Sequence, residues 1–124
     1  LDWELAFNGE PLCDLGYILN WFPADPQLND MGLPSYDYFA LPGMFSRAQV
    51  IGAWERGSGR EARGIEVYEA AESAKTCAIV LRGIAAHEAG ELDDERVAFW
   101  AQVLEIYRER TERLLAACPT TTRP

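Results

Sequence analysis

Leu1-Asp2-Trp3-Glu4-Leu5-Ala6-Phe7-Asn8-Gly9-Glu10-Pro11-Leu12-Cys13-Asp14-Leu15-Gly16-Tyr17-Ile18-Leu19-Asn20-Trp21-Phe22 changes its hydrophobic period once, near Asn8. Residues 1–5 read as the end of a strand. Asn8-Gly9-Glu10-Pro11 reads as a turn, with Gly9 free to take positive φ. Pro11 suits the first position of a helix. Leu12, Leu15, Ile18, Leu19 and Phe22 then recur at steps of three and four, the pattern of an amphipathic helix. Pro23 closes it and Pro26 keeps it from restarting.

Beyond this stretch the chain reads as helical. Residues 23–45 form a long irregular loop with four prolines, and its Tyr36, Tyr38 and Phe39 argue for order. Ser46-Arg47-Ala48-Gln49 has the form of a capping box. The helix it opens carries Val50, Ile51 and Trp54, and should stop near Gly57-Ser58-Gly59. A long helix is expected from about Gly64 to Glu88. One of its faces carries Tyr68, Ala71, Ala78, Leu81 and Ala85. Another carries Val67, Ala70, Ala74, Val80 and Ile84. Apolar residues on two faces predict a central helix packed on both sides. Gly90 is its expected terminator. Asp93, Asp94 and Glu95 are expected to open a last helix with Val97, Trp100, Leu104, Tyr107, Thr111 and Leu114 facing inward. Residues 46–118 thus form a helical subdomain, and 119–124 a polar tail.

The chain has 124 residues, 48% of them hydrophobic and 25% charged, enough for one domain with one core. No apolar run approaches the length of a membrane span. The net charge of −9 argues against nucleic acid and against an anionic membrane surface. Cys13, Cys77 and Cys118 are odd in number and widely spaced, which disfavours disulfides and zinc sites. Cys13 and Cys77, among apolar neighbours, read as buried thiols of a reducing compartment, so a cytoplasmic protein is expected.

In a strand, Asp2 and Glu4 share one face while Trp3 points the other way. Two carboxylates at a strand end can hold Mg²⁺, a hard cation that takes oxygen ligands and substrate phosphates. Such pairs are more often merely solvated, and the surrounding residues decide between the two. Asp2-Trp3-Glu4-Leu5-Ala6, then Gly9, Pro11 and Asp14-Leu15-Gly16-Tyr17, resemble the metal-binding segment of the aminoglycoside phosphotransferase-like kinases, which include choline and homoserine kinases. Pro42-Gly43-Met44-Phe45-Ser46-Arg47, Trp54-Glu55-Arg56-Gly57-Ser58-Gly59-Arg60, Tyr68 and Ile79-Val80-Leu81-Arg82-Gly83-Ile84 are similar to the branch related to the kinase domains fused to acyl-CoA dehydrogenases. The likeness runs to about Leu115.

The resemblance implies a mainly α chain, the C-terminal helical lobe of a protein-kinase-like α+β fold with a short N-terminal strand. Residues 1–22 would be the metal-binding strand, turn and helix of its catalytic core. Asp2 would coordinate the Mg²⁺ bridging the ATP phosphates, and Glu4 would make a second metal contact or hold a water. Asp14 would support the catalytic loop by hydrogen bonds, unless it is a simple helix-turn aspartate. The implied activity is ATP-dependent phosphorylation of a hydroxyl on a small molecule. A hydroxylated acyl thioester is the acceptor the closest likeness implies, and an aminoglycoside is the rival.

The chain departs from that pattern in what it lacks. The family's His-Gly-Asp catalytic loop, its nucleotide-clamping Lys and the N-terminal sheet lobe are absent from these 124 residues. With Leu1 in place of Met, a fragment is expected, inactive until joined by the missing N-terminal kinase half. The alternative is a stand-alone helical interaction module derived from a kinase; cut off from a missing half, the chain would bare apolar surface that favours homo-oligomers. Trp21, Tyr36 and Tyr38 could line an acceptor pocket or anchor the loop by packing. Lys75 and Arg82, two turns apart, could meet an acidic substrate group or be surface or salt-bridged side chains. His87, the single histidine, reads as a partly exposed structural residue near a helix end.

Overall fold

The computed structural model describes residues 8–22 and 41–118, which form four helices: α1 (Leu12–Leu19), α2 (Arg47–Ser58), α3 (Ile65–Glu88) and α4 (Val97–Ala117). No strand occurs among the described residues. The strand expected at residues 1–5, most of the proline-rich loop and the tail lie outside them.

α3 is the spine. α4 packs along it, α1 lies against its first turns, and α2 rests on α1. α1 has eight residues, too few to be stable alone, where about 12 are needed. Burial of Leu12, Leu15 and Leu19 on Ile65 holds it in place, with Val50, Ile51, Trp54, Ala62 and Tyr68 packed around them. A second cluster centres on Tyr107, with Phe22, Cys77, Val103 and Ile106 against it. α1 ends at Leu19, one turn earlier than Pro23 requires, and Asn20 caps it by donating its N–H to the Gly16 carbonyl at 3.1 Å.

The local signals of α2 act as expected. Ser46 Oγ accepts from Gln49 N at 3.2 Å, and Gln49 Oε1 accepts from Ser46 N at 2.8 Å. Gly59 ends the helix with φ of 69°. Gly90 plays the same part after α3, with φ of 72°.

The interior face of α3 differs from expectation. Val67, Ala71, Ala74, Ala78, Leu81 and Ala85 are exposed, whereas Ile65, Glu69, Ala70, Glu72 and Ser73 are buried. Polar groups on α1, α2 and α4 satisfy Glu69, and Ser73 sits in a hydroxyl cluster with α4. Thr111 Oγ1 lies 2.7 Å from the Tyr107 carbonyl and 2.8 Å from Ser73 Oγ.

Farther along, Gly83 lets α4 approach α3. A Cβ at this position would stand 2.8 Å from Trp100 Cζ3. Gly83→Ala is expected to push the indole aside at about 1–2 kcal/mol, the lower part of the overpacking range, because a side chain can yield where backbone cannot. Urea unfolding followed by tryptophan fluorescence checks this. Adding Trp100→Ala should remove the extra penalty of the methyl group.

α4 begins at Val97, later than the acidic run, with Arg96 at its N-cap. Asp94 works one step outside the helix. Its Oδ1 accepts from Arg96 N at 2.9 Å and its Oδ2 pairs with the guanidinium at 2.7 Å. The Arg96 guanidinium also lies 5.7 Å from the Trp100 ring centroid. Hydrogen bonds from Arg96 hold the Asp94 carboxyl down at about 2, from an ordinary 3.8. A depressed folded value means that the stabilisation is fully present above pH ~4 and lost as pH falls through about 2. The amide proton of Arg96 should titrate with a midpoint near 2 in two-dimensional NMR. A midpoint at the ordinary carboxylate value would show that the contact is not kept in solution.

Candidate functional site

α1 divides the residues of the Asp14-Leu15-Gly16-Tyr17 motif between two environments. Leu15 and Gly16 face inward, while Asp14 and Tyr17 are exposed. A Cβ on Gly16 would stand 2.9 Å from the Tyr68 carbonyl carbon and 3.0 Å from Glu69 N, so glycine alone permits this backbone approach. Asp14 makes no hydrogen bond or ion pair with any described residue. It is an acceptor held outward on a well-anchored helix, open to a donor outside these helices.

The C-terminal end of α1 is fixed by a buried polar cluster. The Glu69 carboxylate, 1% exposed, receives Arg47 from α2 through both oxygens and Arg110 from α4 through one. The Leu19 carbonyl accepts from Arg47 Nη1 at 3.4 Å and Arg110 Nη2 at 3.2 Å. Asn20 Oδ1 accepts from Arg110 Nε at 3.0 Å, and Asn20 Nδ2 donates to the Glu69 carbonyl at 3.3 Å. Two guanidiniums and one carboxylate leave a formal charge of +1 beside the negative end of the α1 dipole. The cluster joins all four helices. Neither Glu69 nor Arg110 stood out in the sequence. Their only signal is position: a charged residue on each of two helices, at the spacing of the apolar stripe.

Next to the cluster, Trp21 stands edge-on to Tyr17 at 6.2 Å and to Tyr107 at 6.4 Å. It is 41% exposed, so it is packed on one side and open on the other. Lys75 Nζ pairs with Glu72 Oε2 at 2.7 Å and lies 6.0 Å from the Tyr17 ring centroid. Lys75 is therefore salt-bridged, while Arg82 is exposed. His87 Nδ1 is 3.0 Å from the Leu92 carbonyl, which can only accept, so that nitrogen carries the proton. The ring braces the turn after α3. Burial, then the nearby Glu72 carboxylate, pushes the Cys13 thiol up. Burial does the same to Cys77. Neither is an activated nucleophile.

Asp2, Glu4, Tyr36 and Tyr38 lie outside the described residues. Among the described residues, no group of three or more His, Cys, Asp or Glu side chains is placed to hold a metal ion. No described helix is long and apolar enough to cross a membrane. Compared with protein-family models, curated proteins and solved structures, the chain finds no match.

Proposed function

We propose that these residues are the C-terminal helical part of an ATP-dependent phosphotransferase acting on a hydroxyl of a small molecule. The sequence Asp2-x-Glu4 followed by Asp14-Leu15-Gly16 carries the reading. It is supported by the outward, unengaged carboxylate of Asp14 on a helix whose opposite face is locked. Two carboxylates are hard oxygen donors and suit Mg²⁺. Asp2 and Glu4 would hold the ion with ATP, and the ion would supply charge neutralisation on the phosphates. Asp14 would accept hydrogen bonds from the catalytic loop of the other half, and Trp21, with Tyr36 and Tyr38, would border the acceptor. The cluster around Glu69 keeps α1, and hence Asp14, in place. A hydroxylated acyl thioester is the acceptor class we favour over an aminoglycoside. A cytoplasmic setting fits such a substrate.

Phosphoryl transfer depends on positioned groups that these residues do not include, so the chain alone should not turn over ATP. Adding an N-terminal kinase half that carries a His-Gly-Asp loop should restore Mg-ATP-dependent transfer, and Asp2→Ala should abolish it. ATP turnover by the isolated chain, or activity in the reconstituted pair indifferent to Asp2, would sink the reading. The second reading is a helical interaction module without catalysis. It is favoured by Tyr17 and Ile18, which are 44% and 45% exposed on one side of α1. Size-exclusion chromatography separates the two. A sharply melting monomer indifferent to Mg-ATP supports the module, whereas an oligomer dispersed by the N-terminal half supports the enzyme.

A further inference from the structure

We propose that α2 is a detachable helix, latched at its two ends by ion pairs and able to leave the α1–α3–α4 body while that body stays folded. α2 has no buried residue. Val50, Ile51 and Trp54 are only half-buried against the Leu12, Leu15, Leu19 and Ile65 cluster. Among the described residues its polar ties to the body sit at its ends. Arg47, its first residue, holds Glu69 and the Leu19 carbonyl. Just past its last residue, Arg60 Nη2 pairs with Glu10 Oε1 at 2.8 Å. Ala62 N, donating to Glu55 Oε1 at 3.0 Å, and Arg60 N, donating to Ser58 Oγ at 3.2 Å, tie α2 only to the link that follows it.

Opening the first latch leaves no buried charge bare. Arg110 remains on Glu69 and on the Leu19 carbonyl, while Arg47, whose side chain is already 24% exposed, passes into water. The second latch is a surface pair, with side chains 47% and 37% exposed, and salt screens such a pair. α2 has 12 residues with Gly52 and Gly57 inside it, so it should fray once it leaves its support. Undocking is therefore visible as amide exchange confined to α2. The latches are contacts among described residues and do not depend on the phosphotransferase reading.

Hydrogen exchange on the whole chain tests this with Arg47→Gln, with Arg60→Gln, and with the unaltered chain at low salt and at about 1 M NaCl, where the Debye length is about 3 Å. Loss of a charge-assisted bond should speed exchange of the amides of residues 50–55 by about tenfold or more in Arg47→Gln. Loss of the surface pair should give about threefold in Arg60→Gln, with high salt acting in the same direction. The amides in the middle of α3 and α4 should keep their protection throughout. Unchanged exchange in α2 under all three conditions would overturn the proposal. So would loss of protection in α2, α3 and α4 together, because α2 would then not be a separate unit. Arg60→Gln and the salt series keep the test decisive even if Arg47→Gln fails to fold.

Discussion

Glu69→Ala is expected to lower the unfolding free energy by about 3–5 kcal/mol, the range for removing one partner of a buried ion pair. Two cations depend on this carboxylate, and they differ. Arg47, at 24% side-chain exposure, can turn into water. Arg110, at 5%, cannot, although Asn20 Oδ1 and the Leu19 carbonyl still accept from it. Most of the loss is therefore expected at Arg110, whose guanidinium stays buried after losing Glu69. Arg47→Ala should accordingly be much milder than Glu69→Ala. A Glu69→Met, Arg110→Met double variant should be less destabilised than the sum of its single variants, because the two substitutions remove the buried pair together. Urea unfolding of the four chains measures this coupling. For a domain whose whole stability is about 5–15 kcal/mol, Glu69→Ala leaves little margin. A loss below about 1 kcal/mol, as for a surface pair, would show that the cluster is solvated.

Gly16→Ala should be the next most damaging change, at about 2–3 kcal/mol, the upper part of the overpacking range. The added methyl would meet backbone on α3: the Tyr68 carbonyl carbon at 2.9 Å, its oxygen at 3.0 Å and Glu69 N at 3.0 Å. No rotamer change relieves such a contact, so α1 must move away from α3. That movement would stretch the Asn20–Glu69 and Arg110–Leu19 hydrogen bonds, which makes the loss larger than at Gly83, where an indole can shift. The denaturation midpoint should fall with little change in its slope, since the same surface is exposed on unfolding. An unchanged midpoint would mean that the two helices are not in this close register.

Local signals made much of the helical architecture legible in advance. The capping box at Ser46, the left-handed glycines at Gly59 and Gly90, and the apolar steps of α1 act over a few residues, so sequence neighbours suffice to determine them. The inner face of α3 was not legible. Its alanines form apolar stripes, yet Ala71, Ala78 and Ala85 face water while Glu69 and Ser73 are buried. Periodicity ranks residues by their own polarity. It cannot foresee that Arg47, Arg110 and Asn20, which are 22, 41 and 49 positions away from Glu69, would supply the charges and donors that permit its burial. In the candidate site, Asp2, Glu4 and Asp14 drew notice through their motif, which is a local pattern. The outward setting of Asp14 and the anchoring of its helix depend on long-range packing.

By itself, then, the amino-acid order determined where α2 and α3 stop and that Leu12, Leu15 and Leu19 of α1 turn inward, since capping, glycine conformation and hydrophobic spacing act within a turn or two. It did not determine that Ile18 of the same stripe is exposed. Only the tertiary structure decided that α3 turns its glutamate and serine to the interior, and that Gly16 is a point of backbone contact. Burying a charge is favourable only when its partners arrive from distant parts of the chain, and those partners meet only after the helices have packed.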